Sequence, residues 1–553
     1  MEFVAQDEAK QGENGPASPI TRLLYRARHE GLKVVAGPPS KIAEGAEAQI
    51  GTAQLLPGDF HADIAEFSPT GSRLALVNIA QGVLTVIDVP IQQVLMQTEH
   101  AQIQAVSFSP TGTFLLTWNR PNKETNAHNL IVWDVATGST HASFFQKAFK
   151  RELWPTLQWY PDESAMLKIV SGELVVLDNQ GSTLSRHPMP GLAKMAVAPA
   201  GRPGEVAVAT FFPEAKGKPA RVAVYQEGAF GAPLAAKSFF QASECDFLWN
   251  SRGTHCIAKT HADVDATGGS YYGSSSMYLL AADGTFDCQI PQRKEGPVGD
   301  VAWSPQGGAF CVTAGRMPAA ATLFNTRCEP VFEFGEAHRN TVSWSPHGRF
   351  LCLAGFGNLA GGMDFWDVNK KKKMGTGEAS CAVTYSWSPD SRYFLTATLT
   401  PRMNVDNGLK VFKYNGAGPV IEKSIDQLWQ CQFAPAPPGA FPDRPQSPPR
   451  KGGDPRLSPT PEPKKVGAYR PPNSTGALAA AMRAEREGAG AGKPKPGAYR
   501  PPGLRAAGGG GGIPGAGPPG MPVGAAPEPK KKSRRSKKKK AATGEDGAGG
   551  EEG

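Results

Sequence analysis

A five-residue pattern recurs along this chain and restricts the fold more than any other feature. An aromatic or apolar residue is followed by a small polar residue, a proline and a turn residue. Clear copies are Phe67-Ser68-Pro69-Thr70-Gly71, Phe108-Ser109-Pro110-Thr111-Gly112, Trp303-Ser304-Pro305-Gln306-Gly307, Trp344-Ser345-Pro346-His347-Gly348 and Trp387-Ser388-Pro389-Asp390-Ser391. Looser copies begin at Trp159, Val197, Trp249 and Phe433. Eight steps separate Phe67 from Phe433, about 46 residues each. That period belongs to four-stranded propeller blades.

The chemistry within each copy agrees with the period. The aromatic ends one strand, proline fixes φ, glycine supplies the turn, and an apolar strand follows. Such strands are predicted at 73–77, 113–117, 349–353 and 392–397. A further β-rich strand follows at 84–88, 130–134, 174–178, 221–225, 321–324, 364–367 and 409–412. Two of these carry a Trp-Asp pair, Trp133-Asp134 and Trp366-Asp367. The expected fold is all-β, a WD40-like β-propeller. The last copy, at Phe433, runs into proline-rich sequence, so its strand needs partners from elsewhere; alone it leaves an open ladder. Residues 21–28 and 31–36 are β-compatible, and nine blades closed by these N-terminal strands are predicted. An eight-bladed ring is the alternative.

Composition divides the chain at the same place. Residues 434–553 hold 24 Gly and 23 Pro but only three aromatics, Phe441, Tyr469 and Tyr499. Such a stretch cannot bury enough apolar surface to offset its ordering entropy. The predicted domains are therefore a propeller over 1–433 and a disordered tail over 434–553. The tail carries 22 basic and 10 acidic residues, against 37 and 40 in the rest, so the net charge of +9 belongs to the tail. A basic appendage on a near-neutral body suits a polyanionic partner. The eight cysteines form no CxxC pair and are expected as buried free thiols in a reducing compartment. The charged start, with no apolar core, predicts no signal peptide, and no run of 18 apolar residues predicts a membrane span.

Catalytic motifs are absent. There is no HExxH or GxSxG, and Gly488-Ala489-Gly490-Ala491-Gly492-Lys493 lacks the spacing and strand context of a phosphate loop. Asp263 and Asp265, near His261, read as a polar loop rather than a metal site. No catalytic residue, cofactor or metal is predicted. Contact candidates lie instead in two glycine-rich loops. Residues 260–273 contain Tyr271 and Tyr272, and residues 355–362 contain Phe356 and Asn358. These side chains suit stacking on RNA bases or a partner helix, or else plugging gaps between blades.

The tail repeats Gly-Ala-Tyr-Arg-Pro-Pro, placing Tyr469 with Arg470 and Tyr499 with Arg500 beside stiffening proline pairs. Between the copies, 474–487 reads as a short helix. Farther on, Lys530, Lys531, Lys532, Arg534, Arg535, Lys537, Lys538, Lys539 and Lys540 fall within eleven residues. This cluster suits salt-sensitive phosphate binding, and the same run fits a nuclear-import signal.

Several stretches together resemble the eukaryotic translation initiation factor 2A family. They are 260–273, Lys294-Glu295-Gly296-Pro297, Gly315-Arg316-Met317-Pro318-Ala319, Pro330-Val331-Phe332-Glu333-Phe334-Gly335, 353–363 with Trp366-Asp367-Val368, and 395–413 with Pro401-Arg402 and Asn407-Gly408. Ala468-Tyr469-Arg470-Pro471-Pro472 continues the resemblance in the tail. Its strong part runs from about 250 to 416, and Arg316 joins the loop candidates through it. The resemblance implies a non-enzymatic, monomeric cytoplasmic factor that binds the small (40S) ribosomal subunit. It also implies GTP-independent delivery of initiator methionyl-tRNA on particular mRNAs, with mRNA and other initiation factors as further partners. Fold and composition alone suit a different role, a WD40 scaffold that assembles a protein complex without touching tRNA.

Overall fold

The computed structural model describes residues 19–446 except 40–47, 123–124, 126, 216, 241, 263–273, 401 and 404. Eight sheets of four antiparallel strands follow one another along the chain, spanning 64–99, 103–144, 157–188, 194–239, 244–289, 298–337, 341–378 and 384–424. The ninth sheet joins the two ends of the fold. Leu428–Phe433 lies innermost, Arg22–Ala27 pairs with it, and Gly31–Ala36 pairs outside that. Nine blades closed by N-terminal strands are thus present, as the sequence predicts. Among the described residues the closing blade has three strands. Its outer edge is covered locally: the Gln54 side chain accepts from Val34 N (2.8 Å) and donates to Leu32 O (3.0 Å), and Leu55 N donates to Val34 O (2.7 Å). Such cover blunts an edge that would otherwise template pairing.

Burial explains which strands take which residues. In the first blade the second and third strands, Arg73–Asn78 and Val83–Asp88, are buried over four consecutive residues each, because neighbouring blades cover both faces. The outer strand Gln93–Glu99 borders solvent and is largely exposed.

The recurring pattern makes the same turn each time. The serine hydroxyl accepts the backbone N–H five residues on, as in Arg73 N to Ser68 Oγ (3.0 Å), Phe114 N to Ser109 Oγ (2.9 Å), Phe350 N to Ser345 Oγ (3.0 Å) and Tyr393 N to Ser388 Oγ (2.9 Å). In the looser copy Asn250 Oδ1 does this for His255 N (3.1 Å). The glycine three residues after the serine takes a positive φ, +68° at Gly71 and +69° at Gly348, a conformation that glycine adopts without a Cβ clash.

The leading aromatic has a second task. Four of these indole N–H groups donate to a backbone carbonyl of the preceding blade: Trp249 to Ala196 O (3.1 Å), Trp303 to Leu248 O (2.8 Å), Trp344 to Ala302 O (3.1 Å) and Trp387 to Ser343 O (3.2 Å). Phe433 N continues this line by donating to Ser386 Oγ (3.1 Å). The tryptophans therefore stitch one inner strand to the next around half of the ring, each bond contributing about 1 kcal/mol.

Packed chain continues beyond the boundary expected at Phe433. His347 Nε2 donates to Phe441 O (2.9 Å), Arg392 Nη2 to Pro445 O (2.7 Å), and Gln446 Nε2 to the buried Asp367 carboxylate (2.8 Å). Residues 434–446 thus form a strap across the serine-proline turns of blades eight and seven. The cysteines are free, and six of them are buried; Cys288 is half-buried and Cys381 exposed, against the expectation that all are buried.

Candidate functional site

The antiparallel order of each blade sorts its connections onto two sides of the ring. The serine-proline turns and the links between third and fourth strands lie on one side. On the other lie the links between second and third strands and the crossings between blades. This second side, the loop face, carries Arg316, Phe356 and Asn358. Tyr271 and Tyr272 lie outside the described residues, as do Tyr469, Arg470, Tyr499, Arg500, Lys530, Lys531, Lys532, Arg534, Arg535, Lys537, Lys538, Lys539 and Lys540. The helix expected over 474–487 also lies outside them.

Arg316, Phe356 and Asn358 sit in loops of consecutive blades. Arg316 is exposed at a tip held by backbone bonds, Gly315 N to Pro297 O (3.0 Å) and Arg316 N to Glu295 O (3.1 Å). Lys294 Nζ braces this tip by donating to Pro318 O (2.6 Å) and Glu336 Oε2 (2.8 Å). Asn358 is exposed, and its Oδ1 accepts from Arg402 Nη2 (3.2 Å) of the next blade. Phe356 does not meet the expectation of a contact residue. It is buried, stacks on Tyr385 with centroids 5.3 Å apart, and has its backbone clamped by Asn340 through bonds of 2.9 and 3.0 Å. The small glycines around it let the ring fold inward and plug the gap between blades.

Sequence reasoning missed other members of this face. Arg402 fell inside a resembling stretch without being singled out. Phe145, Phe240, Met317 and Val405 are exposed large apolar side chains on its loops, Phe240 at 73%. Trp429 is exposed as well, and nothing in its strand pattern marks it. A phenylalanine between short polar connections is the one signal that would have found Phe240.

A cavity of about 560 Å³ lies among the inner strands of blades three to six. Trp154, Gln158, Lys194, Asp246, Lys259 and Asp300 line it. Its charges are matched. Lys194 Nζ lies 2.7 Å and His261 Nε2 3.5 Å from the Asp246 carboxylate, and together they hold that carboxyl well below the usual range. Burial pushes Asp300 up, although it accepts from Val301 N and Val342 N, both at 2.8 Å. His261 therefore serves Asp246, while Asp263 and Asp265 lie outside the described residues. Among the described residues no cluster of three or more His, Cys, Asp or Glu could hold a metal ion.

A closed ring with this turn chemistry and a loop-borne face of arginines and aromatics defines a WD40-like β-propeller protein. The family described as "Eukaryotic translation initiation factor eIF2A" matches residues 237–431. The factor 2A of Schizosaccharomyces pombe is 35% identical over 427 residues, covering 74% of this chain and 72% of that one. The chain belongs to the eukaryotic translation initiation factor 2A family.

The Dictyostelium discoideum factor 2A is 37% identical over 383 residues, which cover 68% of this chain and 62% of the relative's length. A solved structure described as "Crystal structure of the eukaryotic initiation factor" superposes with a TM-score of 0.66 at 30% identity, covering 76% of this chain and 100% of that one. A component of eukaryotic translation initiation factor 3 from Xenopus laevis is a more distant relative, 24% identical over 355 residues that cover 62% of this chain and 50% of that one. The family match includes the loops of Arg316, Asn358 and Arg402.

Proposed function

We propose that the chain binds the small ribosomal subunit and promotes delivery of initiator methionyl-tRNA to particular mRNAs without requiring GTP. Membership of the factor 2A family supports this reading. The structural observation that carries it is the gathering of Arg316, Asn358 and Arg402 with exposed aromatic side chains on one face of a closed ring. In this reading the ring is a docking platform rather than a catalyst, and the factor acts as a cytoplasmic monomer. Residues 447–553 serve as a basic arm. Lys530, Lys531, Lys532, Arg534, Arg535, Lys537, Lys538, Lys539 and Lys540 neutralise phosphates, releasing counterions. Tyr469 and Tyr499 stack on exposed bases beside Arg470 and Arg500.

Crosslinking of the cellular protein to RNA tests the proposal. Enrichment of small-subunit rRNA and initiator tRNA is the expected result. Recovery of neither, with a stable set of co-purifying proteins instead, would overturn it in favour of the scaffold reading.

A further inference from the structure

Trp429 belongs to the inner strand of the closing blade, yet it is 38% exposed. A β-bulge is the cause. Arg26 pairs with Gln430 and Ala27 with Leu428, so Trp429 has no partner in the ladder and its side chain turns outward. Bulges recur at the same end of the inner strand in blades two and six, where the extra residues are Gln104 and Gly299. A polar residue or a glycine therefore suffices for the backbone, and the indole is not required by the fold.

The indole borders a depression of about 320 Å³ whose other walls are Arg26, Asp63 and Thr400. The Arg26 guanidinium packs over the ring, 5.1 Å from its centroid, and its Nε is buried with no hydrogen-bond partner among the described residues. Two further arginines flank the site. Thr400 N donates to Leu428 O (2.8 Å), tying the loop that bears Arg402 to this strand. On the opposite side Arg28 Nη1 donates to Gln427 Oε1 (3.1 Å). Asp63 is the one carboxylate in the wall, and its Oδ2 accepts from Ile79 N (2.7 Å).

Three of the four walls are polar, which does not suit the apolar stripe of a partner helix. A flat ring backed by a guanidinium, in a depression the size of one base and flanked by arginines, suits an unstacked nucleotide. A paired base is excluded because both of its faces are covered within the duplex. We propose that Trp429 is a stacking platform for one unpaired nucleotide of single-stranded RNA. Arg26 stiffens the ring from behind, and Arg28 and Arg402 attract the neighbouring phosphates. The assignment rests on the RNA-facing reading of the loop face and names the element of RNA that the face holds.

The full-length protein and its Trp429→Gln and Trp429→Phe variants test it. Gln is the residue that the equivalent bulge carries in blade two, so the substitution keeps the fold. Binding of an eight-nucleotide single-stranded RNA, and of its duplex, is measured at a salt concentration that screens the tail. The expected result is that W429Q weakens single-strand binding about tenfold and leaves the duplex unchanged, while W429F keeps most of the affinity. A 4-thiouridine crosslink is expected in the peptide containing Trp429. Single-strand binding by W429Q equal to the parent's overturns the proposal. So does an equal loss for single strand and duplex, and so does loss of a protein partner with RNA binding intact. Co-sedimentation of the parent with small subunits is run alongside. If it persists while W429Q binds RNA normally, only the Trp429 site falls; if the parent itself fails to sediment, the ribosomal reading falls.

Discussion

Lys168 is among the few charged side chains that this ring buries. It is 6% exposed in the second strand of blade three, its ammonium 5.0 Å from the centroid of the Phe144 ring. Burial lowers its pKa from 10.5 to about 8. Below pH 8 the lysine is charged in both folded and unfolded chains, so the folded state bears the full desolvation cost. Between pH 8 and 10.5 the folded chain gives up its proton first, and the cost disappears as pH rises. Lys168→Met is therefore expected to stabilise the ring at pH 7 by on the order of 3 kcal/mol, with the gain shrinking towards pH 10. Thermal melts at both pH values check this, and equal gains would assign the effect to packing alone. The sequence left Phe356 as either a surface contact or a plug between blades, and burial makes it the plug. Trp429 was not singled out, because one extra strand residue sends a side chain to the other face, and such an insertion leaves no compositional trace.

The tight turn after each inner strand is the element that most constrains substitution. Gly71 has a φ of +68°, and a Cβ built there would overlap the Pro435 carbonyl oxygen of the strap. Gly204 has a comparable φ of +82° with nothing within 4 Å of a built Cβ. Gly204→Ala is thus expected to cost only backbone strain, about 1 kcal/mol, whereas Gly71→Ala must also displace the strap and costs about 3 kcal/mol or more. Denaturant melts of the two variants separate these contributions, and equal losses would remove the strap from the account. Several strands were legible from their apolar runs: 130–134 and 31–36 coincide with Leu130–Asp134 and Gly31–Ala36. Outer strands such as Thr183–Pro188 were not, because their largely exposed polar residues resemble loops. The strap escaped notice for a related reason. It docks through the carbonyls of Phe441 and Pro445, and backbone acceptors are the same in a docked segment as in a free one.

Closure of the whole ring rests on two short strands from its beginning. Leu23, Leu24, Leu32, Val34 and Val35 are almost wholly buried within them. At about 1.5–3 kcal/mol for each such side chain, their removal rivals the total stability of a folded domain. Deleting residues 1–40 is therefore expected to abolish cooperative unfolding or lower the melting temperature steeply, as circular dichroism would report. An unchanged melt would contradict closure by these strands. The same arrangement sets a timetable for synthesis. Arg28 and its partner Gln427 are 399 residues apart in the chain. At ordinary translation speeds the first hairpin leaves the ribosome roughly half a minute or so before the strand that receives it. The face bearing Leu24, Leu32 and Val34 can pack on the first blade as soon as that blade emerges, but the face bearing Leu23 and Val35 must wait for blade eight, so the nascent chain depends on rapid assembly of the intervening blades to keep its own beginning available to its end.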